Sequence, residues 1–253
     1  MGTKNHSESP RLYSDLATWF HLLTAPEDYA EEADFYLKAI ISACDRSPQT
    51  ILELGSGGGN NASHLKSHFQ LTLVDLSQEM LTISEKLNPE CEHIAGDMRN
   101  IRLERVFDTV LIHDAIMYMT SEDDLRQAMK TAYIHCRPGG AALFAPDHVH
   151  ETFQPSTDHG GHDDQRRGLR YLDWTWDPDP EDTTYVSDMA YLIKNEIGQV
   201  NVEYDRHILG IFPRQTWLRL LRDTGFQPEI IPFEHCEIEP GTCEVFIGRK
   251  IPK

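Results

Sequence analysis

Apolar positions along this chain follow two rhythms, and the change between them divides it. From about residue 50 to 145, short apolar runs alternate with stretches whose apolar residues recur every three or four positions. Ile51–Leu54, Leu71–Asp75, Phe107–Asp114 and Ala141–Ala145 read as buried strands, with a weaker one at Cys91–Ala95. Between them, helices are predicted over 62–69, over Gln78–Leu87 (Ser77 as cap, Asn88-Pro89 as stop) and from Ser121 onward. Strand–helix alternation of this kind gives β-α-β units and an open, doubly wound sheet. Ahead of it, Leu12–Phe20 reads as a short amphipathic helix. A second helix follows, with Thr24 as N-cap, Pro26 in its first turn and Tyr29, Ala33, Tyr36, Ile40 and Cys44 on its apolar face. Residues 1–10 read as a tail.

The rhythm breaks between Pro146 and Pro213. Turn residues (Gly160-Gly161, Asp177-Pro178-Asp179-Pro180, Gly198-Gln199) separate stretches of strand character, and Tyr185–Lys194 with Val200–Phe212 reads as an antiparallel hairpin. The expectation is a small cap over 147–212. A helix, Arg214–Thr224, closed by Gly225, and two strands, Glu229–Phe233 and Glu244–Lys250, complete the chain.

Chemistry enters at the first strand, where Glu53-Leu54-Gly55-Ser56-Gly57-Gly58-Gly59 breaks into glycine. Such a turn before a helix lets backbone approach a ligand and leaves helix N–H groups free. Gly57, Gly59 and Ala62 fit the dinucleotide fingerprint G-x-G-x-x-G/A, with Asp75 placed for a ribose, so NAD is one reading. Asp97, at the end of the third strand, stands where a carboxylate could meet an adenine amino group.

Composition narrows the choice. A formal charge of −18 argues against a phosphate-backbone partner, and no basic stripe offsets it. No apolar run is long enough for a membrane span. Five scattered cysteines without a C-x-x-C suit reduced thiols, hence a cytoplasmic protein.

Taken in order, Glu53-x-Gly55-x-Gly57-x-Gly59, Asp75, Gly96-Asp97-Met98-Arg99, Phe107-Asp108 and Arg137-Pro138-Gly139-Gly140 resemble the motif set of class I S-adenosylmethionine (SAM) methyltransferases. The resemblance covers about 50–145. It is nearest to small-molecule N-methyltransferases of amino sugars, through Tyr13-x-Asp15-Leu16-Ala17, Asp28-Tyr29-Ala30-x-Glu32-Ala33, Pro146 through Phe153 and His207–Phe212. It departs from them at His113-Asp114-Ala115-Ile116-Met117-Tyr118, which faces the acceptor in that family, so the substrate does not carry over. The resemblance implies a Rossmann-like seven-stranded sheet ending in an antiparallel hairpin, formed by 49–146 plus 213–253. Residues 1–48 would cover the site as N-terminal helices. The cofactor would be SAM, contacted by Glu53, Gly55, Gly57, Gly59, Asp75, Leu76, Met80, Asp97, Met98 and His113.

Around the acceptor the candidates are Tyr29, Asp114, Tyr118 and Trp174 for binding, and His113, Tyr13 and His207 for catalysis. Histidine's ordinary pKa near 6.5 suits proton removal near neutrality, which puts His113 first as the base. His148 and His150, on a strand, would point the same way toward a metal, but a solvated acidic loop is the expected reading, with no metal. The resulting expectation is methyl transfer to nitrogen, less readily oxygen, of a small molecule by a protein that could be a homodimer. A nicotinamide dehydrogenase and a catalytically silent SAM-binding module are the alternatives.

Overall fold

The computed structural model describes residues 10–233, 236 and 241–252; the tail expected over 1–10 lies outside them except for Pro10. The first strand, β1 (Thr50–Leu54), is followed by β2 (Gln70–Asp75), β3 (Glu92–Ala95), β4 (Phe107–Ile112) and β5 (Cys136–Phe144). Next come β6 (Ser156–Gly160), β7 (Gly168–Trp176), β8 (Thr184–Lys194) and β9 (Val200–Gly210), then β10 (Gln227–Pro232) and β11 (Glu244–Arg249). Seven strands form one sheet in the order β10-β11-β5-β4-β1-β2-β3, parallel except for β11, which runs antiparallel to both β5 and β10. The other four form a separate antiparallel sheet in sequence order, inserted after β5.

Helices α1 (Phe20–Leu23), α2 (Ala30–Ala43), α3 (Asn60–Leu65), α4 (Gln78–Leu87), α5 (Glu122–His135) and α6 (Arg214–Thr224) complete the described regular structure together with short 3-10 turns. Strand residues alternate between two cores, as side chains of a sheet covered on both faces must. Ile51, Leu73 and Leu111 pack with Tyr36 and Ile40 of α2 and Leu65 of α3. Leu52, Val74 and Val110 pack with Leu125 and Met129 of α5 and with Trp217 and Leu221 of α6. Ser77 and Ser121 cap α4 and α5 by accepting from the Met80 and Asp124 N–H groups, as their sequence positions foretell.

Several local expectations are corrected. Leu12–Phe20 is not a continuous helix but two 3-10 turns, Arg11–Tyr13 and Ala17–Trp19, leading into α1. Thr24 is not an N-cap but closes α1, its N–H bonded to Phe20 O; the chain enters α2 through a turn at Pro26–Tyr29, where the Ala25 N–H donates to Asp28 Oδ2 at 2.8 Å. α3 begins at Asn60 and ends at Leu65, a turn short of Phe69. His148 and His150 lie outside any strand, and His150 is exposed. Among the described residues no group of three or more His, Cys, Asp or Glu is arranged to hold a metal, and no helix is long and apolar enough to cross a membrane.

Two motifs counted with the resemblance act at the far end of the sheet from the glycine turn. Asp108 Oδ2 accepts from the Gln49 and Thr50 N–H groups at 2.9 and 3.0 Å, and Oδ1 accepts from buried Arg137. Although burial pulls the other way, these donors hold its pKa down to about 2. Asp108 and Arg137 therefore staple the starts of β1, β4 and β5 together.

Candidate active site

β1 ends on the glycine turn. Gly55 has a left-handed backbone (φ +77°), and a Cβ there would lie 2.3 Å from the Ala115 Cβ, so only glycine fits. At the end of β2, Asp75 turns back beneath the loop. Its Oδ2 accepts the Gly57 N–H and its Oδ1 the Ser77 N–H, each at 2.8 Å. Each oxygen keeps a lone pair for a ligand. Burial pushes the Asp75 pKa up against these bonds. Asp97 is more committed: Arg99 grips it with Nε and Nη2 at 3.0 and 2.7 Å, which keeps its pKa low. Glu53 is 3% exposed, its Oε2 has no hydrogen-bond partner, and burial pushes its pKa up to about 8.

A cavity of about 1810 Å³ opens between this turn and the inserted sheet. Common ligand pockets are roughly 300–1,000 Å³, so there is room for a nucleoside and a second small molecule. Glu53, Gly55, Gly57, Asp75, Leu76, Asp97 and Met98 line it on one side; Tyr13, Tyr29, His113, Asp114, Tyr118 and His207 line it on the other. Three candidates lie off its wall. Gly59 starts α3 with its Cα against Asn88 and Ser84. Met80 is fully buried, near the underside of Gly57. Trp174 is 55% exposed and stacks on Trp176 on the outer face of the cap, while its neighbours Asp173 and Thr175 line the cavity.

His113 is the most constrained group. Its Nε2 stands 2.6 Å from Asp114 Oδ1 and 3.1 Å from Glu32 Oε2, and its Nδ1 lies 3.4 Å from the Asn61 amide nitrogen. Burial alone would lower its pKa, but the charges of Asp114 and Glu32 prevail and raise it well above 6.5. The ring therefore holds a proton more tightly than a free imidazole does, with Nε2 aimed at the two carboxylates. Asp114 is held below the usual carboxylate range, chiefly by His113 against the effect of burial. It also accepts a hydrogen bond from Asp147, whose pKa is raised by burial and by the Asp114 charge, so that Asp147 is the protonated partner. Asp114 keeps 46% of its side-chain surface because that surface faces the cavity.

Sequence reasoning did not place Glu32, Asn61, Asp147 and Asp173 in the site. Asp147 had a usable signal: it follows β5 as Asp75 ends β2, and the strand-end argument extends to it. The others depend on contacts between distant segments.

A second chain of contacts runs along the cap. The Tyr118 hydroxyl donates to the Tyr13 hydroxyl (3.1 Å) and lies 2.6 Å from His207 Nδ1; His207 Nε2 stands 3.3 Å from Asp205 Oδ2. Asp205 accepts the Leu12 N–H at 2.9 Å. Burial opposes it, but bonds from His207 and Leu12 keep the Asp205 pKa low.

Residues 10–24 cross the cavity as a strap tied to both sheets. Ser77 Oγ donates to Tyr13 O at 2.6 Å, and the His162 N–H donates to Leu22 O at 2.8 Å. His21 Nε2 lies 3.2 Å from Gly58 O, and Phe20 occupies the space a Cβ on Gly58 would need. Leu12, Leu16 and Leu22 pack with Leu169, Met189 and Tyr191 of the cap; each buried leucine contributes up to about 3 kcal/mol.

Comparison with known proteins accounts for this layout. Residues 51–140 match the family described as "Methyltransferase domain". A dTDP-3-amino-3,4,6-trideoxy-alpha-D-glucopyranose N,N-dimethyltransferase of Streptomyces venezuelae is 31% identical over 131 residues, covering 50% of this chain and about half, 54%, of that protein. The structure of the sugar N-methyltransferase KedS8 from Streptoalloteichus sp ATCC 53650 superposes with a TM-score of 0.81 at 21% identity, over 100% of this chain and 98% of that one. That of SAM-bound CalS10, an amino pentose methyltransferase from Micromonospora echinaspora, superposes with a TM-score of 0.73 at 19% identity, over 88% and 91%. The glycine turn's two readings, NAD and SAM, resolve to SAM. The unpartnered Glu53 oxygen, the lone pairs of Asp75 and the open glycine backbone all suit its amino, ribose and main-chain-binding groups. Residues 51–140 are a methyltransferase domain of the class I, SAM-binding kind, and the whole chain shares the fold of the sugar N-methyltransferases.

Proposed function

We propose that this protein transfers the methyl group of SAM to an amine nitrogen of a small molecule. The observation that carries the reading is Asp114, a carboxylate presented to the cavity with His113 Nε2 2.6 Å from its Oδ1 and Asp147 bonded to it. The relatives whose names specify amino-sugar nitrogens point to the same acceptor atom.

When bound, SAM supplies a sulfonium-held methyl group. The chain's part is to place and prepare the acceptor. Asp75 accepts from ribose hydroxyls, Asp97 shares its oxygens between Arg99 and an adenine amino group, and Glu53 Oε2 takes an N–H from the amino-acid end. Orientation of this kind contributes up to about 7–11 kcal/mol in ideal cases. An ammonium has no lone pair, so its proton must leave first. Asp114 is the acceptor for it; His113 holds Asp114 in place by donating from Nε2. Tyr13 and Tyr118 orient the same nitrogen from the cap side.

The test pairs calorimetry with product analysis. Micromolar binding of SAM and of its demethylated product is expected, with a methyl-sized mass gain on an amine in a metabolite extract. Binding of NAD(H) but not SAM would refute the reading. SAM binding with no methylated product from any amine would mark a silent SAM-binding module.

A further inference from the structure

The acceptor half of the cavity has an unusual charge balance for a site that would hold a nucleotide-linked substrate. Ten acidic side chains line the whole cavity against two arginines, and no lysine lines it among the described residues. Both arginines are already engaged. Arg99 is clamped by Asp97 at 2.7 Å and Asp124 at 3.0 Å. Arg206 alternates with inward-facing Asp205 and His207 on β9, and Asp188 holds its guanidinium at 2.6 and 2.9 Å. A diphosphate entering this space would meet carboxylates with no unpaired guanidinium or ammonium to offset it, and would pay the desolvation cost of its own charge.

A separate set of atoms asks for the opposite kind of ligand. Asn60 Oδ1 and Asn61 Oδ1 both lack partners, and their residues line the cavity at 4 and 3% exposure. The amide orientations are fixed by their other ends: Asn61 Nδ2 donates to Glu32 Oε1 at 2.8 Å, and Asn60 Nδ2 to Thr24 O at 3.3 Å. Both unfilled atoms are therefore acceptors that want N–H or O–H donors. Beside them stand Asp114 and Asp147, with the rings of Tyr29 and Tyr185 on the same wall. Carboxylates combined with aromatic rings suit an ammonium, which gains from both.

Building on the methyl-transfer reading, we infer that the acceptor is a cationic amine without phosphate, such as a free amino sugar, amino alcohol or diamine, and not a nucleoside-diphosphate-linked one. The Asp114–Asp147 pair is the recognition element for its ammonium. Sharing one proton, the two carboxyls present a single net negative charge, and they can take up the proton that the amine must lose. The proton moves from the ammonium nitrogen to a carboxylate oxygen, which leaves the nitrogen lone pair free.

The test uses the full-length protein loaded with the demethylated cofactor product, itself confirmed by calorimetry. Glucosamine and 1,5-diaminopentane are titrated by ligand-observed NMR and calorimetry, against glucosamine 6-phosphate and a nucleoside-diphosphate-linked amino sugar. The amines are expected to bind in the millimolar range or better, at least about tenfold tighter than the phosphorylated compounds, with an advantage that shrinks at high salt. Asp114→Asn, which removes the pair's negative charge, should reduce that preference while cofactor-product affinity stays the same, which shows that the variant is folded. Equal or tighter binding of the phosphorylated compounds, or no binding of either amine at millimolar concentration, overturns the inference and leaves methyl transfer standing. Failure to load the cofactor product would instead overturn the methyl-transfer reading itself.

Discussion

β2 delivers Asp75 to the cavity from its end, whereas β7 delivers Asp173 from its face. The contrast extends to the two sheets as wholes. In the seven-stranded sheet the faces are filled by two apolar cores, so only loops beyond the strand ends carry chemistry. In the cap the inner face is itself the wall of the cavity, and Asp173, Thr175, Ser187 and His207 stand on it in a polar array. There the Ser187 hydroxyl donates to Asp173 Oδ1 at 2.6 Å and the Thr175 hydroxyl to Oδ2 at 3.2 Å. The first sheet thus handles what is common to the family, and the second is free to differ in what it accepts.

If the halves divide the work in this way, substitutions should sort by the constant they move. The largest effect is expected where the halves meet. Asp114→Asn removes the proton acceptor, and kcat should fall by about 10²–10⁴, the usual range for general acid–base groups, with SAM affinity unchanged. Retention of near-normal kcat would assign the proton elsewhere. Next comes Asp75→Ala, which strips two backbone N–H groups of their partner as well as the ribose hydroxyls of theirs. SAM affinity measured by calorimetry should drop about 100-fold. A tenfold smaller loss, or an equal rise in acceptor KM, would blur the division.

A sharper test sits on adjacent residues. Asp173→Ala should raise acceptor KM by about tenfold, the worth of one charge-assisted hydrogen bond, and leave SAM binding alone. Trp174→Ala, one position away on the outer face, should change either constant by less than about twofold. If Trp174 mattered more than Asp173, the cap would be working through its outer surface.

The smallest effect concerns Glu53. Its pKa rises from 4.5 to about 8 on folding, so the folded protein binds that proton more tightly than the unfolded chain. The resulting stability is complete below pH 4.5 and is lost as pH rises from there through about 8. Glu53→Gln removes this dependence, and its Tm without cofactor should exceed that of the wild type by a margin that grows between pH 5 and pH 9. A margin that stayed flat would mean Glu53 is solvated in the absence of ligand.

The same contrast explains what the sequence could reveal. The strands of the larger sheet announce themselves by burial on both faces, and Ser77 and Ser121 mark helix starts through local hydrogen bonds, so both are legible one segment at a time. On β7 the usual rule points the wrong way. Leu172 and Trp174 are apolar yet exposed, while polar Asp173 and Thr175 face inward, because inward there means a cavity and not a core. Trp174, expected at the substrate as a ring that could stack on it, stands on the outer face instead. His113 stands at the strand end, but its raised pKa comes from Asp114 beside it and from Glu32, about 80 residues earlier in the chain. No local pattern reports such a pairing.

The strap across residues 10–24 bears on how the enzyme would keep time. It is tied to Ser77 on the cofactor side and to Asp205 and His162 on the cap side, so neither sheet can shift without straining the other's tether. A nucleoside bound against the glycine turn beneath Phe20 and His21 would leave only once those ties release. Turnover would then be paced by departure of the spent cofactor, and the chemical step would be hidden behind it. Such an enzyme shows a burst of methylated product before the steady state and no kinetic isotope effect on the methyl group once the steady state is reached.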